Sequence, residues 1–211
     1  MKRLITFTVV FAVVFCTSCE KKPNGGEGEG GDTTVVIPPK KYVIGNYYNV
    51  NGVQGIVYKV EADSTKGMLV SLDETTVMWV DTNNISIRYV STGAVDSENG
   101  VENMKKVEEK GFANFPAFDW CNKKNTGNIK GWYLPSSYEL WDVANVCGQL
   151  QDSLAANKGT RLDNTGTYWS STDCGDIGGI ALSAYAVRFS DKNVSPTFKG
   201  LSHKVRAVRA F

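Results

Sequence analysis

The sequence of 211 residues holds a single histidine, His203. One imidazole rules out a His-rich metal site. It also leaves Ser-His or Cys-His catalysis no base other than His203. Net charge of one sign is missing too, with 23 Lys and Arg against 22 Asp and Glu and no basic block. That absence argues against a nucleic-acid partner. The main apolar run, Leu4 to Phe15, is shorter than the ~20 residues a membrane-spanning helix needs. Outside Cys16 and Cys19 there is no Cys-x-x-Cys, so no zinc ribbon is expected. The Gly-rich stretch GGEGEGG lacks a Gly-Lys-Ser/Thr ending and a preceding strand, which excludes a phosphate loop. No carboxylate spacing nominates a glycosidase pair.

The first residues read as an export signal. Lys2 and Arg3 precede the apolar run, whose length suits a signal h-region. Thr17 and Ser18 then precede Cys19, in an arrangement that resembles the lipobox of bacterial lipoproteins. The expectation is a signal peptide over 1–18 and a lipid anchor on Cys19. Residues 19–41 are Gly-rich and charged, with little to bury, and read as a flexible tether. The expected partner of this end is a membrane, the outer one, with the head at the cell surface.

From Tyr42 onward the pattern is that of a folded head. Residues 42–50, 54–62 and 67–73 read as strands, with Asn51-Gly52 as a hairpin turn. Ile56, Tyr58 and Val60 share one face of the second. Val77–Val80 and Ile85–Tyr89 are further short strands. Val101, Met104 and Val107 suit a helix, and Pro116 opens a second. Ser136 and Glu139 form a capping box ahead of Leu140, Val143, Ala144 and Cys147. Gly148 is expected to break that helix, with a short continuation through Leu150 and Leu154. Residues 167–172, 184–190 and 204–210 read as strands. The run Val205-Arg206-Ala207-Val208-Arg209 does not alternate, so either a bulge intervenes or one Arg faces the packed side. A buried Arg needs a partner, and Glu139 is the candidate. Strands, helices, then strands predict an α+β domain with antiparallel sheets and two or more helices.

The segment Gly131-Trp132-Tyr133-Leu134-Pro135-Ser136-Ser137-Tyr138-Glu139-Leu140 resembles the G-W-x-L-P-[ST]-x-x-E-L motif of the Lcl C-terminal domain family, within the C-type-lectin-like superfamily. The opening 42–60, the strand 67–73, Tyr168-Trp169-Ser170-Ser171-Thr172 and the closing strands 184–190 and 205–211 resemble further family marks, in order. The leader, tether and head together resemble surface lipoproteins of gut anaerobes. The resemblance implies a C-type-lectin-like fold over 42–211 and a non-enzymatic binding module for glycan, matrix or protein ligands. It implies no cofactor. Alternatives are a structural or tip subunit of a pilus-like assembly, or a hypervariable receptor. Two departures stand out. Ala207 occupies a position where the family often has Cys, and the calcium-and-sugar triplets of classical C-type lectins are absent.

Cys121 and Cys147 lie on apolar helix stripes and read as buried thiols or as a bridge. Cys174 sits in a loop and is expected to be more exposed. Asp173 and Asp176 flank it and have the oxygen ligands calcium takes, although a solvated loop is the plainer reading. The segments 173–184 and 191–202 read as long irregular loops. Loops on a rigid scaffold carry binding, and the resemblance places the ligand face there. The candidate ligand residues are therefore Asp173, Asp176, Tyr185, Arg188 and Lys199.

Overall fold

The computed structural model describes residues 38–84, 89–176 and 180–211. The expected signal peptide, Cys19 and nearly all of the expected tether lie outside the described residues, as does most of the expected strand at 85–89. Residues Pro39–Phe211 form one compact unit.

The opening hairpin joins β1 (Tyr47–Val50) to β2 (Val53–Val60). Asn51 and Gly52 have φ of 51° and 81°. That is the left-handed pair a two-residue hairpin turn requires. The next strand, β3 (Gly67–Val70), pairs antiparallel with β2, and the closing strand β9 (Val208–Ala210) pairs with β3. The first sheet therefore has the order β1-β2-β3-β9. The second has the order β4-β8-β5-β6-β7, built from Thr75–Met78, Ser202–Val205, Thr167–Asp173, Ser183–Arg188 and Asn193–Phe198. Its pairings are antiparallel except for β5 against β8, which run parallel. The α+β class with two sheets follows directly.

Three helices lie between the two halves of the strand set. α1 (Gly100–Glu108) is capped by the Asn99 side chain, which accepts from the Val101 and Glu102 amides. α2 (Pro116–Asn122) starts on its proline. α3 (Ser137–Ala156) has the expected capping box, Ser136 accepting from the Glu139 amide while Glu139 accepts from the Ser136 amide. Its stripe Leu140, Val143, Ala144, Cys147, Leu150 and Leu154 is buried and packs on β2, β5 and β6. Trp79 meets Phe115 and Phe118 edge-on in the core, and Tyr168 stacks on Phe189.

Three expectations need correction. α3 runs unbroken through Gly148, because one exposed glycine costs only about 1 kcal/mol and the buried residues on either side hold the helix. The segment read as a loop after Asp191 contains β7, in continuous antiparallel register with β6 from Arg188↔Asn193 to Ser183↔Phe198. Pro196 disguised it, yet proline is tolerated on an edge strand. The third concerns the non-alternating closing run, where the chain leaves one sheet for the other. β8 ends at Val205, β9 begins at Val208, and Arg206 lies at the crossing with no exposed surface. Its partner is Glu74 at 2.7 Å, not Glu139. Glu139 is spent on the capping box and its neighbours.

Candidate functional site

The structure brings together two of the five sequence-nominated residues, and it does so inside the protein. Asp173 ends β5 with its side chain fully buried, 2.8 Å from the ammonium of Lys199. The carboxylate also accepts from the Thr92 amide and hydroxyl and from the Gly175 amide. Lys199 donates to the Ala181 carbonyl at 2.9 Å and lies over the Trp79 ring. Burial pushes the lysine down in pKa, and Asp173 pulls it back up. This pair fastens the segments around Thr92 and Ala181 to the core. Neither group faces solvent, so the ligand role expected of Asp173 and Lys199 is corrected to an internal clamp. The same contacts speak against calcium on Asp173, since an ammonium already sits on Oδ1 and Thr92 donates twice to Oδ2. Among the described residues, no group of three His, Cys, Asp or Glu side chains is placed to hold a metal.

The other three nominees do not converge with that pair. Asp176 is exposed. Tyr185 is half-buried on β6, opposite Pro196. Arg188 is exposed and paired with Asp191 at the β6–β7 turn. The head cysteines are all free. Cys121 and Cys147 are buried free thiols with no bridge between them. Cys174 is more exposed, and burial still raises its thiol to about 11. His203 packs edge-on against Trp169, and burial lowers its pKa.

A different place has the features of a site. A cleft of about 380 Å³ opens where the ends of β2, β3 and β9 meet the start of α3. That volume falls in the ~300–1,000 Å³ range of small-molecule sites. Its wall includes Tyr58, Val60, Lys66, Met68, Glu139 and Phe211. The register explains why Tyr58 is there. Val57 pairs with Leu69 and Lys59 with Met68, so Tyr58 is the extra residue of a β-bulge. A bulge re-aims a side chain. The close strand approach beside it depends on Gly67, where a Cβ would lie only 2.1 Å from the Lys59 carbonyl oxygen.

Tyr58 is 2 % exposed, and its hydroxyl has no hydrogen-bond partner. Next to it Glu139 accepts from the Tyr133 hydroxyl at 2.6 Å through Oε1. Through Oε2 it accepts from the Ser136 amide at 2.8 Å and the Gly100 amide at 3.1 Å. Burial raises the Tyr58 phenol well above its usual range, with Glu139, Tyr133 and Asp142 adding to the shift. Burial and the Glu139 carboxylate do the same to Tyr133. Both phenols therefore stay neutral and keep their protons. At the rim Lys59 is held by Asp142 at 2.7 Å, leaving Glu98, Glu61 and Lys66 facing the opening. The cleft thus combines apolar lining from Val60, Met68 and Phe211 with the charged groups of Glu61, Glu98 and Lys66, while the Tyr58 hydroxyl has almost no accessible surface. Sequence reading found Glu139 as a cap and Tyr58 as a strand residue. It missed their meeting because a bulge leaves no mark in the hydrophobic alternation.

Comparison with known proteins finds no matching family model and no curated relative. Among solved structures, a fimbrial protein from Bacteroides ovatus ATCC 8483 is similar, with a TM-score of 0.60 and 19 % identity. The likeness covers 81 % of this chain and 49 % of that one. The chain thus spans about half the length of that protein, and at this identity the likeness is one of fold.

Proposed function

We propose that this chain is a non-enzymatic, lipid-anchored protein of the cell surface whose head serves as a recognition or tip module in a fimbria-like assembly. The observation that carries this reading is the shared fold with the fimbrial protein over 81 % of the chain. A leader, a Cys19 anchor site and a Gly-rich tether, as read from the sequence, suit a head held away from a membrane. The finer reading of the head is C-type-lectin-like. Two features support it. The opening hairpin shares a sheet with the closing strand β9, and the motif 131–140 leads into α3 while Tyr133 bridges to Val208. A binding role is favoured over catalysis because Glu139, one of the carboxylates lining the cleft, already accepts three structural hydrogen bonds.

Protease shaving of intact cells, with a periplasmic protein as control, tests the location. Loss of the head while the control survives is the expected result; protection until the outer membrane is opened would overturn the surface reading. Crosslinking on intact cells then tests assembly. Stoichiometric partners in a ladder support a fimbria-like role, and a head that crosslinks to nothing removes it. Labelled palmitate should enter the wild type and not Cys19→Ala.

A further inference from the structure

An amine and a carboxyl group are held against each other in the dry interior. The Asp173 side chain has no exposed surface, that of Lys199 is 2 % exposed, and Nζ lies 2.8 Å from Oδ1. Trp79 covers the pair, with Nζ 4.7 Å from its ring centre. The backbone fixes both partners. The Asp173 amide donates to the Ala94 carbonyl at 2.7 Å, and the Lys199 amide donates to the Leu182 carbonyl at 2.9 Å. Reacting groups held in place in this way escape the entropy cost of meeting. A low-dielectric surrounding favours neutral forms over charged ones, and burial already pulls the lysine below its ordinary range. The two carboxylate oxygens also differ. Oδ2 accepts from the Thr92 amide at 2.9 Å and the Thr92 hydroxyl at 2.8 Å. Oδ1 faces the lysine and accepts from the Gly175 amide at 3.0 Å. Two donors aimed at one oxygen are what stabilises the oxyanion of a tetrahedral acyl intermediate.

We propose that Asp173 and Lys199 condense into an intramolecular isopeptide bond, which makes the internal clamp covalent. One proton passes from Nζ to Oδ1, leaving an amine and a carboxylic acid. The amine nitrogen attacks Cγ, and the negative charge gathers on Oδ2 under the two Thr92 donors. The nitrogen then passes a second proton to Oδ1, the Cγ–Oδ1 bond breaks, and Oδ1 leaves as water. The products are one amide and one water, so the step needs no oxidant, metal or co-reactant. The new amide keeps an N–H for the Ala181 carbonyl, which already lies 2.9 Å from Nζ, and a carbonyl oxygen for Thr92. The bond joins the end of β5 to the residue after β7, closing a loop that contains β6 and the edge strand β7. It does not depend on where the head is displayed.

The test is tryptic mass spectrometry of the full chain, purified from cells and then denatured and reduced. Trypsin does not cut at an amidated lysine, so the bond predicts residues 162–188 joined to residues 193–204. The joined species should weigh about 18 Da less than its two parts, one water. Its fragment ions should place the link at Asp173 and Lys199. Recovery of 162–188, 193–199 and 200–204 as separate peptides from the wild type would overturn the proposal and leave an ordinary ion pair. That digest decides the matter without any variant. Lys199→Arg keeps the positive charge but cannot be deprotonated, so the joined species should disappear; its persistence would place the link elsewhere and overturn the assignment. Thr92→Val keeps both partners and removes one donor to Oδ2. After a pulse of labelled synthesis it should gain the joined species roughly 100-fold more slowly, and a rate equal to wild type would overturn the oxyanion step.

Discussion

Replacing Glu74 by alanine would strand the guanidinium of Arg206 as a buried charge without a counter-charge. Arg206 has no exposed surface, and the Glu74 side chain is 8 % exposed. Glu74 accepts from Arg206 Nη2 at 2.7 Å, Lys204 Nζ at 2.8 Å and Tyr168 Oη at 3.0 Å. Lys204 is 28 % exposed and can turn to water, so its loss counts for little. Tyr168 still accepts from the Asp163 amide. The main cost falls on Arg206. Removing one partner of a buried pair costs ~3–5 kcal/mol. Arg206 keeps the Ser71 and Thr160 carbonyls, each at 2.9 Å, which places the loss near the lower end, about 3 kcal/mol. Against a total of ~5–15 kcal/mol, that is a large fraction. The melting temperature should fall by about 6–12 °C at ~2–4 °C per kcal/mol for a domain of this size. Urea unfolding followed by tryptophan fluorescence should show a lower midpoint with an unchanged slope. Added salt should change little, because the pair is shielded from solvent. The double variant Glu74→Leu with Arg206→Met should recover most of the loss. A cost under about 1 kcal/mol for Glu74→Ala would rank the pair with surface ion pairs. It would refute the claim that this network locks the crossing between the two sheets.

Two further substitutions probe the backbone and the pH response. Gly148→Ala should raise stability by about 0.5–1 kcal/mol, since the added Cβ meets nothing within 4 Å; Gly67→Ala should destabilise strongly, its Cβ being 2.1 Å from the Lys59 carbonyl oxygen. A thermal scan showing the two equal would dismiss the bulge geometry. His203 has its pKa lowered by burial from 6.5, so the unfolded chain binds the proton first as pH falls. Stability should decline as pH drops below 6.5 and level off once the folded-state His203 is also protonated. His203→Phe keeps the ring contact with Trp169 and should flatten that slope; an unchanged slope would assign the effect to other groups.

Much of the fold is legible in the chain because it depends on neighbours in sequence. The capping box at Ser136 and Glu139, the turn at Asn51-Gly52 and the buried stripe of α3 are local patterns, and the structure has each of them. The Arg206 problem was legible as a problem, since a charge at a packed strand position must find a partner. Its solution was not. Glu74 is 132 residues away from Arg206, and proximity across that distance comes from the strand order. β7 went unread for the related reason that an edge strand tolerates proline and has only one paired side.

The nominated ligand residues show the same division. Loop position and residue type made Asp173 and Lys199 attractive, yet nothing in the sequence says that they face each other in the core. Tyr58 reads as an ordinary strand tyrosine until the bulge opposite Leu69 and Met68 turns it toward Glu139. Hydrophobic period, caps and turns act over a few residues, so the opening hairpin, the starts of α2 and α3 and the α+β class were open to reading from the chain. Only the tertiary structure decided which charges pair, which strands neighbour and where a polar hydroxyl is left over, because those depend on contacts between residues far apart in the chain.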